Sequence, residues 1–345
     1  MRYLIPLLAV VSFMSLLVGC SSGPYDFPDD AYRIEEDTVT ITAYDGNKST
    51  LRIPKSIDDK PVTKIDAMVF AGNTSLEEVI LPSTVRTIGR SAFLNTENLE
   101  TLSFDGESEL KRIESSAFMM SDLEEFALPD GLQHIGDNAF AGNASLKEVT
   151  LPDSLETIGA FAFGETPWYN AFDEGFIYED DVLLGYRGEP SSLQEYSVED
   201  GTRIIAENTF KNSDLESLTI PGSVEHINAG AFENSESLTH LTFEESSRLK
   251  TIGTNAFRNS RLQSLTIPAS VKTIGGGAFF NTALKTVQLE ASTESPITFD
   301  VTKSNTPPFN PEKEGLTITL SHDAYASYTD HPHWSIYSDH LKSED

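Results

Sequence analysis

The chain holds one cysteine among 345 residues. A lone thiol forms no internal disulfide and supplies no set of zinc ligands. Basic residues are also scarce: 24 Lys and Arg stand against 54 Asp and Glu, a formal charge of -30. That field repels nucleic acid and anionic head groups, so no nucleic-acid partner is expected. Catalytic signatures are missing too, with no His-Glu-x-x-His and no Gly-x-Ser-x-Gly. Asp45-Gly46-Asn47-Lys48-Ser49 lacks the leading glycine of a phosphate loop. His331-Pro332-His333, even with His322, lacks a convincing third ligand. Glu35-Glu36-Asp37 and Glu179-Asp180-Asp181 lack the order of a calcium loop. No catalytic residue, metal or cofactor is expected.

One long apolar run exists, from Leu4 to Val18, preceded by Arg2. It is too short for a comfortable membrane span and is placed like the core of a signal peptide. It closes on Leu17-Val18-Gly19-Cys20, which resembles the bacterial lipobox. The resemblance implies a signal peptide over 1–19, cleavage before Cys20 and a lipid on its sulfur. The membrane would then be reached through that lipid alone. The small, acidic stretch that follows makes 20–31 a flexible tether.

What the chain has in abundance is repetition. The phenylalanines of an Ala-Phe-like dipeptide fall at 70, 93, 118, 140, 163, 210, 232, 257 and 279, each five residues after an isoleucine. A spacing of 22 to 25, broken once by 47, is that of a leucine-rich-repeat solenoid. In IGDNAFAGNASLKEVTLP, residues 135–152, Val149 and Leu151 alternate with Glu148 and Thr150, the period of a half-buried strand. Pro152 ends the strand. Asn-Ala-Phe is too short for a proper helix and predicts a single helical or 3-10 turn. Asparagines two or three residues after most of these phenylalanines suit a corner that needs left-handed backbone.

The expected fold is an α/β solenoid dominated by β-structure. About ten right-handed coils of 22–25 residues over 62–290 put a parallel sheet on one face and short turns on the other. An N-terminal β-hairpin cap over 32–61, built around Asp45-Gly46, and a C-terminal cap over 291–345 close the ends, because open ends expose core and strand edge. In the second cap, Glu-Gly-Leu-Thr-Ile-Thr-Leu reads as the last strand, with Tyr325, Tyr328, Trp334 and Tyr337 as a lid. The gap of 47 is read as an extra β-hairpin over 164–192 looping out of the stack. Two units, LSFDGESELKRI and LTFEESSRLKTI, are longer by two or three residues in one loop.

These residues resemble the BspA-like leucine-rich repeats of bacterial surface proteins. The repeated IGxxAFxxN…LxxVxLP phrase, the opening TVTITAYDGN…LRIPKSIDDKPVTKI and the Tyr- and Trp-containing tail carry the likeness from about Tyr32 onward. The resemblance implies a right-handed solenoid, export, and binding or adhesion without catalysis. It transfers no catalytic residues.

Two surfaces are candidates for a protein or glycan partner. The first is the solvent side of the strands, with Glu78, Glu125, Glu148 and His240 in one column and Thr150, Thr219, Thr242 and Thr266 in the next. These columns lack Trp, Tyr and Arg, and threonine is also good filler for an exposed strand. The second is the insert, where Trp168, Tyr169, Tyr178 and Tyr186 offer a stacking platform, or else pack the hairpin onto the solenoid. The chain is expected to be a lipid-anchored monomer of the cell envelope, facing outward or toward the periplasm.

Overall fold

The structure, a computed structural model, describes residues 30–124, 126–187, 194–290 and 295–344. The expected signal peptide, Cys20 and most of the tether lie outside these residues, as do Glu125 and residues 188–192 of the insert.

Most coils carry two strands rather than one. The LxxVxLP segment makes a four-residue strand, as at Glu78–Leu81 and Ser217–Ile220, and these stack in parallel into broad sheets. The residue pair ending in the repeated isoleucine makes a second, two-residue strand, as at His134–Ile135 and Thr251–Ile252, and these stack into narrow sheets. Ten narrow strands run from Lys60–Ile65 to Thr273–Gly275, in line with the expected number of coils, and Thr38–Ile41 and Thr298–Asp300 extend the stack to twelve steps among the described residues.

The recurrent glycine after the isoleucine has a steric cause. A Cβ on Gly136 would lie 2.4 Å from the Ser115 backbone nitrogen of the preceding coil, and one on Gly159 2.3 Å from that of Asp137. Only glycine lets the coils approach that closely.

The Ala-Phe segments form turns closed by bonds to the residue three earlier, such as Ala139 N–H to the Gly136 carbonyl at 3.2 Å. Alternate N–H groups instead cross to the next coil, as Phe140 does to Ala162 at 2.7 Å. Phenylalanine therefore stacks on phenylalanine: Phe118–Phe140 and Phe140–Phe163 have centroids 5.3 and 5.1 Å apart and rings within 11° of parallel. Asn212, Asn234, Asn259 and Asn281 adopt positive φ between 57° and 62°. Their side chains form a ladder, Asn259 donating to Asn234 at 2.6 Å and Asn281 to Asn259 at 2.8 Å. Asn143, one residue later in its coil, is fully buried and donates instead to the Phe118 and Phe140 carbonyls, both at 2.7 Å.

Three sequence expectations are corrected. The N-terminal hairpin lies one turn earlier, pairing Tyr32–Glu35 with Thr38–Ile41, while Asp45-Gly46 lies where the chain crosses between sheets. Thr38–Ile41 pairs in parallel with Lys60–Ile65 and Thr50–Arg52 with Glu78–Leu81, so coil stacking overrides the local turn signal. At the other end, Thr317–Leu320 is followed by one more parallel strand, Leu341–Ser343. The intervening helix His322–Thr329 and its neighbours bury Tyr328, Trp334 and Tyr337 against the last coil.

The hairpin of the insert does not loop out. Gly175–Glu179 and Val182–Arg187 pair antiparallel, and the second strand joins the narrow sheet, Val182 opposite Ile204 and Leu183 opposite Ile205. Leu183 stands 25 residues after Ile158 and 22 before Ile205, so the gap of 47 contains one complete coil step. The strand Gly175–Glu179 covers the edge that Thr157–Ile158 would have joined. The narrow sheet ends at Thr157–Ile158 and a second begins with the hairpin, which splits the core into two clusters.

The solenoid is thus two arms. The free edge of Thr157–Ile158 meets the second arm from the side: Glu207 N–H donates to the Ile158 carbonyl at 3.0 Å, and Arg203 reaches the Leu155 carbonyl. The arms also turn toward each other. Arg90 and Asn255 lie about seven coils apart along the chain, roughly 34 Å in a straight stack, yet both line one cavity of about 410 Å³.

Candidate functional site

Both broad-sheet candidate regions follow from the two longer units. After Thr101–Phe104 the broad ladder lapses until Glu195–Ser197, and after His240–Phe243 it breaks before Ser264–Ile267. In each case the preceding unit has extra loop residues and a phenylalanine, Phe104 or Phe243, where others place Leu, Ile or Val. The added volume and chain spread the coils on this face. Across the second break the narrow strands His226–Ile227 and Thr251–Ile252 still pair, and Phe232 N–H still reaches the Ala256 carbonyl at 2.8 Å. The coils open on one side only.

This opening is a groove of about 750 Å³. Its floor includes Leu241 and Phe243, both only partly buried, although their counterparts Leu218 and Ile220 are each 1% exposed. Thr242 and Thr266 both line it, together with Ser264, Gln288, Glu244, Glu245 and Glu290. Cross-strand pairing places Ser217 beside His240 and Thr219 beside Thr242, so three of the expected residues form one exposed patch leading to the groove. Glu148 and Thr150 border a different groove, of about 920 Å³, floored by Phe126, Leu128 and Leu151. Residues 148–151 are not a strand here, contrary to expectation. Phe126 fills the position that Val149 holds in the next coil, and its ring reaches Phe104, Phe118 and Phe140 at 6.3, 5.8 and 5.9 Å. Glu78 lies far up the first arm, accepting from the Thr50 hydroxyl at 3.3 Å.

The aromatic residues of the insert make packing contacts, with Tyr169, Tyr178 and Tyr186 left partly exposed. Trp168 is 8% exposed and stands edge-on to Phe163 at 5.1 Å, ending the ring stack of the first arm. Phe176 stacks on Tyr196 at 3.9 Å and reaches Phe210 at 5.2 Å, starting the ring stack of the second. The Tyr178 and Tyr196 hydroxyls share a 2.6 Å hydrogen bond, and burial holds both phenols above their usual pKa. Tyr186 packs edge-on against Phe176, and Tyr169 against Phe172. Two truncated cores need ring caps where the stack changes direction, and these side chains provide them.

Histidines of the tail bond to nearby groups: His333 Nδ1 accepts the Phe299 N–H at 2.9 Å, and His322 Nδ1 lies 3.3 Å from the Ser343 hydroxyl.

The cleft between the arms was missed from sequence. It comprises cavities of about 410 and 250 Å³ that share Arg112, His134, Glu207 and Lys303. His134 and His226 occupy matching positions in the two narrow sheets and are 8% and 5% exposed. Each turns Nδ1 to the threonine of the next strand, His134 to Thr157 and His226 to Thr251, the latter at 2.9 Å. Burial holds both rings at about 4, well below the usual histidine range, aided by Arg112 at His134 and Lys250 at His226. Both imidazoles are therefore neutral near pH 7. Lys303 bonds Glu207 at 2.9 Å, and burial raises that carboxyl. The one sequence signal was the residue before each repeated isoleucine, where His134 and His226 stand at a position that is threonine at 87, 157, 251 and 273.

Comparison with known proteins agrees with the repeat. The family model described as BspA type leucine-rich repeat region matches residues 44–168 and 189–298 in six copies. Among solved structures, a T. pallidum leucine-rich repeat protein is 24% identical, covering 68% of this chain and 88% of its own, with a TM-score of 0.39. A leucine-rich cell surface protein of Faecalibacterium prausnitzii is 23% identical over 94% of this chain and 96% of its own, TM-score 0.33. The pneumococcal vaccine antigen PcpA is 19% identical over 90% and 95%, TM-score 0.35. No curated protein matches the chain.

Proposed function

The chain belongs to the BspA-type leucine-rich-repeat family, and on that premise we propose that it is a non-catalytic cell-surface protein that binds a protein partner through its broad sheet. The observation that carries this reading is the groove after His240–Phe243, where the break in the ladder leaves Leu241 and Phe243 half-buried. Its apolar floor, its hydroxyls and the acidic Glu244, Glu245 and Glu290 suit a partner that inserts apolar side chains and carries basic ones around them. The formal charge of -30 favours the same partner at long range. Lipid on Cys20 holds the protein to the membrane, and adhesion to a host or neighbouring cell surface is the role that follows.

The test is a pull-down from host-matrix, mucin and envelope fractions with the parent and a Thr242→Lys/Thr266→Lys variant of unchanged melting temperature. A partner kept by the parent, lost by the variant and weakened by salt supports the reading. Equal capture by both proteins moves the binding surface elsewhere. Intact-mass analysis of membrane extracts separately tests the lipid, which Cys20→Ser would remove.

A further inference from the structure

We propose that the cleft between the two arms is a second binding site, for a neutral saccharide, separate from the broad-sheet surface. It is a half-open recess, lined by many polar and charged side chains, formed where the solenoid turns back toward itself. Its combined size, about 410 and 250 Å³ in adjoining spaces, falls in the range of ligand pockets.

The charges lining it are largely matched within the protein. Arg112 Nε bonds Glu114 at 3.0 Å, Lys303 bonds Glu207 at 2.9 Å, and Lys211 bonds Glu233 at 2.7 Å. A simple anion would meet the carboxylates, a simple cation the guanidinium groups, and a zwitterion would have to break existing pairs. A neutral polyol breaks none of them. Each of its hydroxyls both donates and accepts, so it can meet nitrogens and oxygens placed side by side. No Phe, Tyr or Trp ring lines either space, which disfavours a flat apolar ligand.

The second observation is His226. Its ring is 5% exposed and lines the cleft, and Nδ1 is bonded to Thr251. Among the described residues no group bonds its Nε2, and the atom is not sealed from solvent, so it stands open to water or ligand in the recess. His134 repeats the arrangement from the opposite arm, its Nε2 4.0 Å from Glu114 Oε2. Two uncharged imidazoles thus offer one nitrogen each to the same recess. Arg90, exposed and without an ion pair among the described residues, stands at its margin.

The experiment titrates the full chain with glucose, galactose, N-acetylglucosamine, lactose and cellobiose, following the histidine ring signals by NMR. Inorganic phosphate and calcium chloride are the charged controls. A saccharide should shift the His134 and His226 signals and bind at least tenfold more weakly to Arg90→Ala/Arg112→Ala. Both changes are at exposed positions, so the fold should survive, and His226→Asn, which retains a group near Nδ1 and removes Nε2, should weaken binding as well. Failure of every sugar to shift the rings overturns the proposal. So does binding unaffected by the cleft variants, or a response to phosphate or calcium alone. Each of these results leaves the Thr242 and Thr266 pull-down free to succeed or fail independently.

Discussion

The side-chain amide of Asn228 acts as a peptide group for the strand edge at Ile158, seventy residues earlier. Its Oδ1 accepts the Ile158 N–H at 2.9 Å and its Nδ2 donates to the Glu156 carbonyl at 3.0 Å. Asn228 is 2% exposed and Ile158 fully buried, so the Ile158 N–H has no ready access to water. Asn228→Ala leaves the Ile158 N–H unsatisfied and should destabilise the protein by about 1–3 kcal/mol. Thermal unfolding measures the loss. Hydrogen exchange should locate it, with faster exchange at Ile158 and little change at Ile252, far along the second arm. Uniform loss of protection would show that Asn228 does not act at the elbow.

Phe140→Ala should cost about 3–5 kcal/mol, as expected for a fully buried ring. Phe140 is 1% exposed and stacks between Phe118 and Phe163, so both neighbouring coils lose a contact. Ile336→Ala, at a half-exposed position, should stay within about 0.5 kcal/mol. Denaturant midpoints compare the two directly, and equal values would refute the buried role of the turn.

Trp168→Ala should likewise act on stability, at about 3–5 kcal/mol, because the ring closes the end of the first core. Saccharide and partner binding by the folded fraction should not change. A stable variant that has lost a ligand would return the insert to candidacy as a platform.

Acid should weaken the fold through the cleft histidines. Their folded pKa values lie near 4, depressed by burial, against about 6.5 when unfolded. Between those values the unfolded chain binds more protons, so stability is lost as pH falls from about 6.5 to 4, by up to a few kcal/mol. Arg112 and Lys303 reinforce the depression at His134 while Glu114 and Asp137 oppose it; at His226, Lys250 and Arg203 reinforce it and Glu225 opposes it. Glu207 works in the other direction: its raised pKa contributes stability at low pH that is lost as pH rises, a partial offset. The melting temperature of the parent should drop between pH 7 and 4.5 by more than that of His134→Asn/His226→Asn. Matching drops would assign the acid sensitivity to other groups.

Much of the architecture was legible because a solenoid is built from local rules. The spacing of isoleucine and phenylalanine set the coil length, the alternation around Val149 and Leu151 marked the core-facing positions, and the asparagines marked the corners. Even the groove at Thr242 had a trace, since LTFEESSRLKTI is a longer unit. The two-residue strands were not legible, because so short a segment has no period and becomes a strand only when its neighbours stack. The same limit explains the Asp45-Gly46 turn, whose local preference yields to pairing with the next coil.

By itself, then, the amino-acid sequence determined the repeat, its core and the family to which it belongs, all consequences of contacts between residues one coil apart. Only the tertiary structure decided where the stack turns. Ile158 and Asn228, or Arg90 and Asn255, are joined by no periodicity, and their meeting depends on how two rigid arms pack once Gly175–Glu179 covers a strand edge. The cleft and its two histidines exist because of that turn.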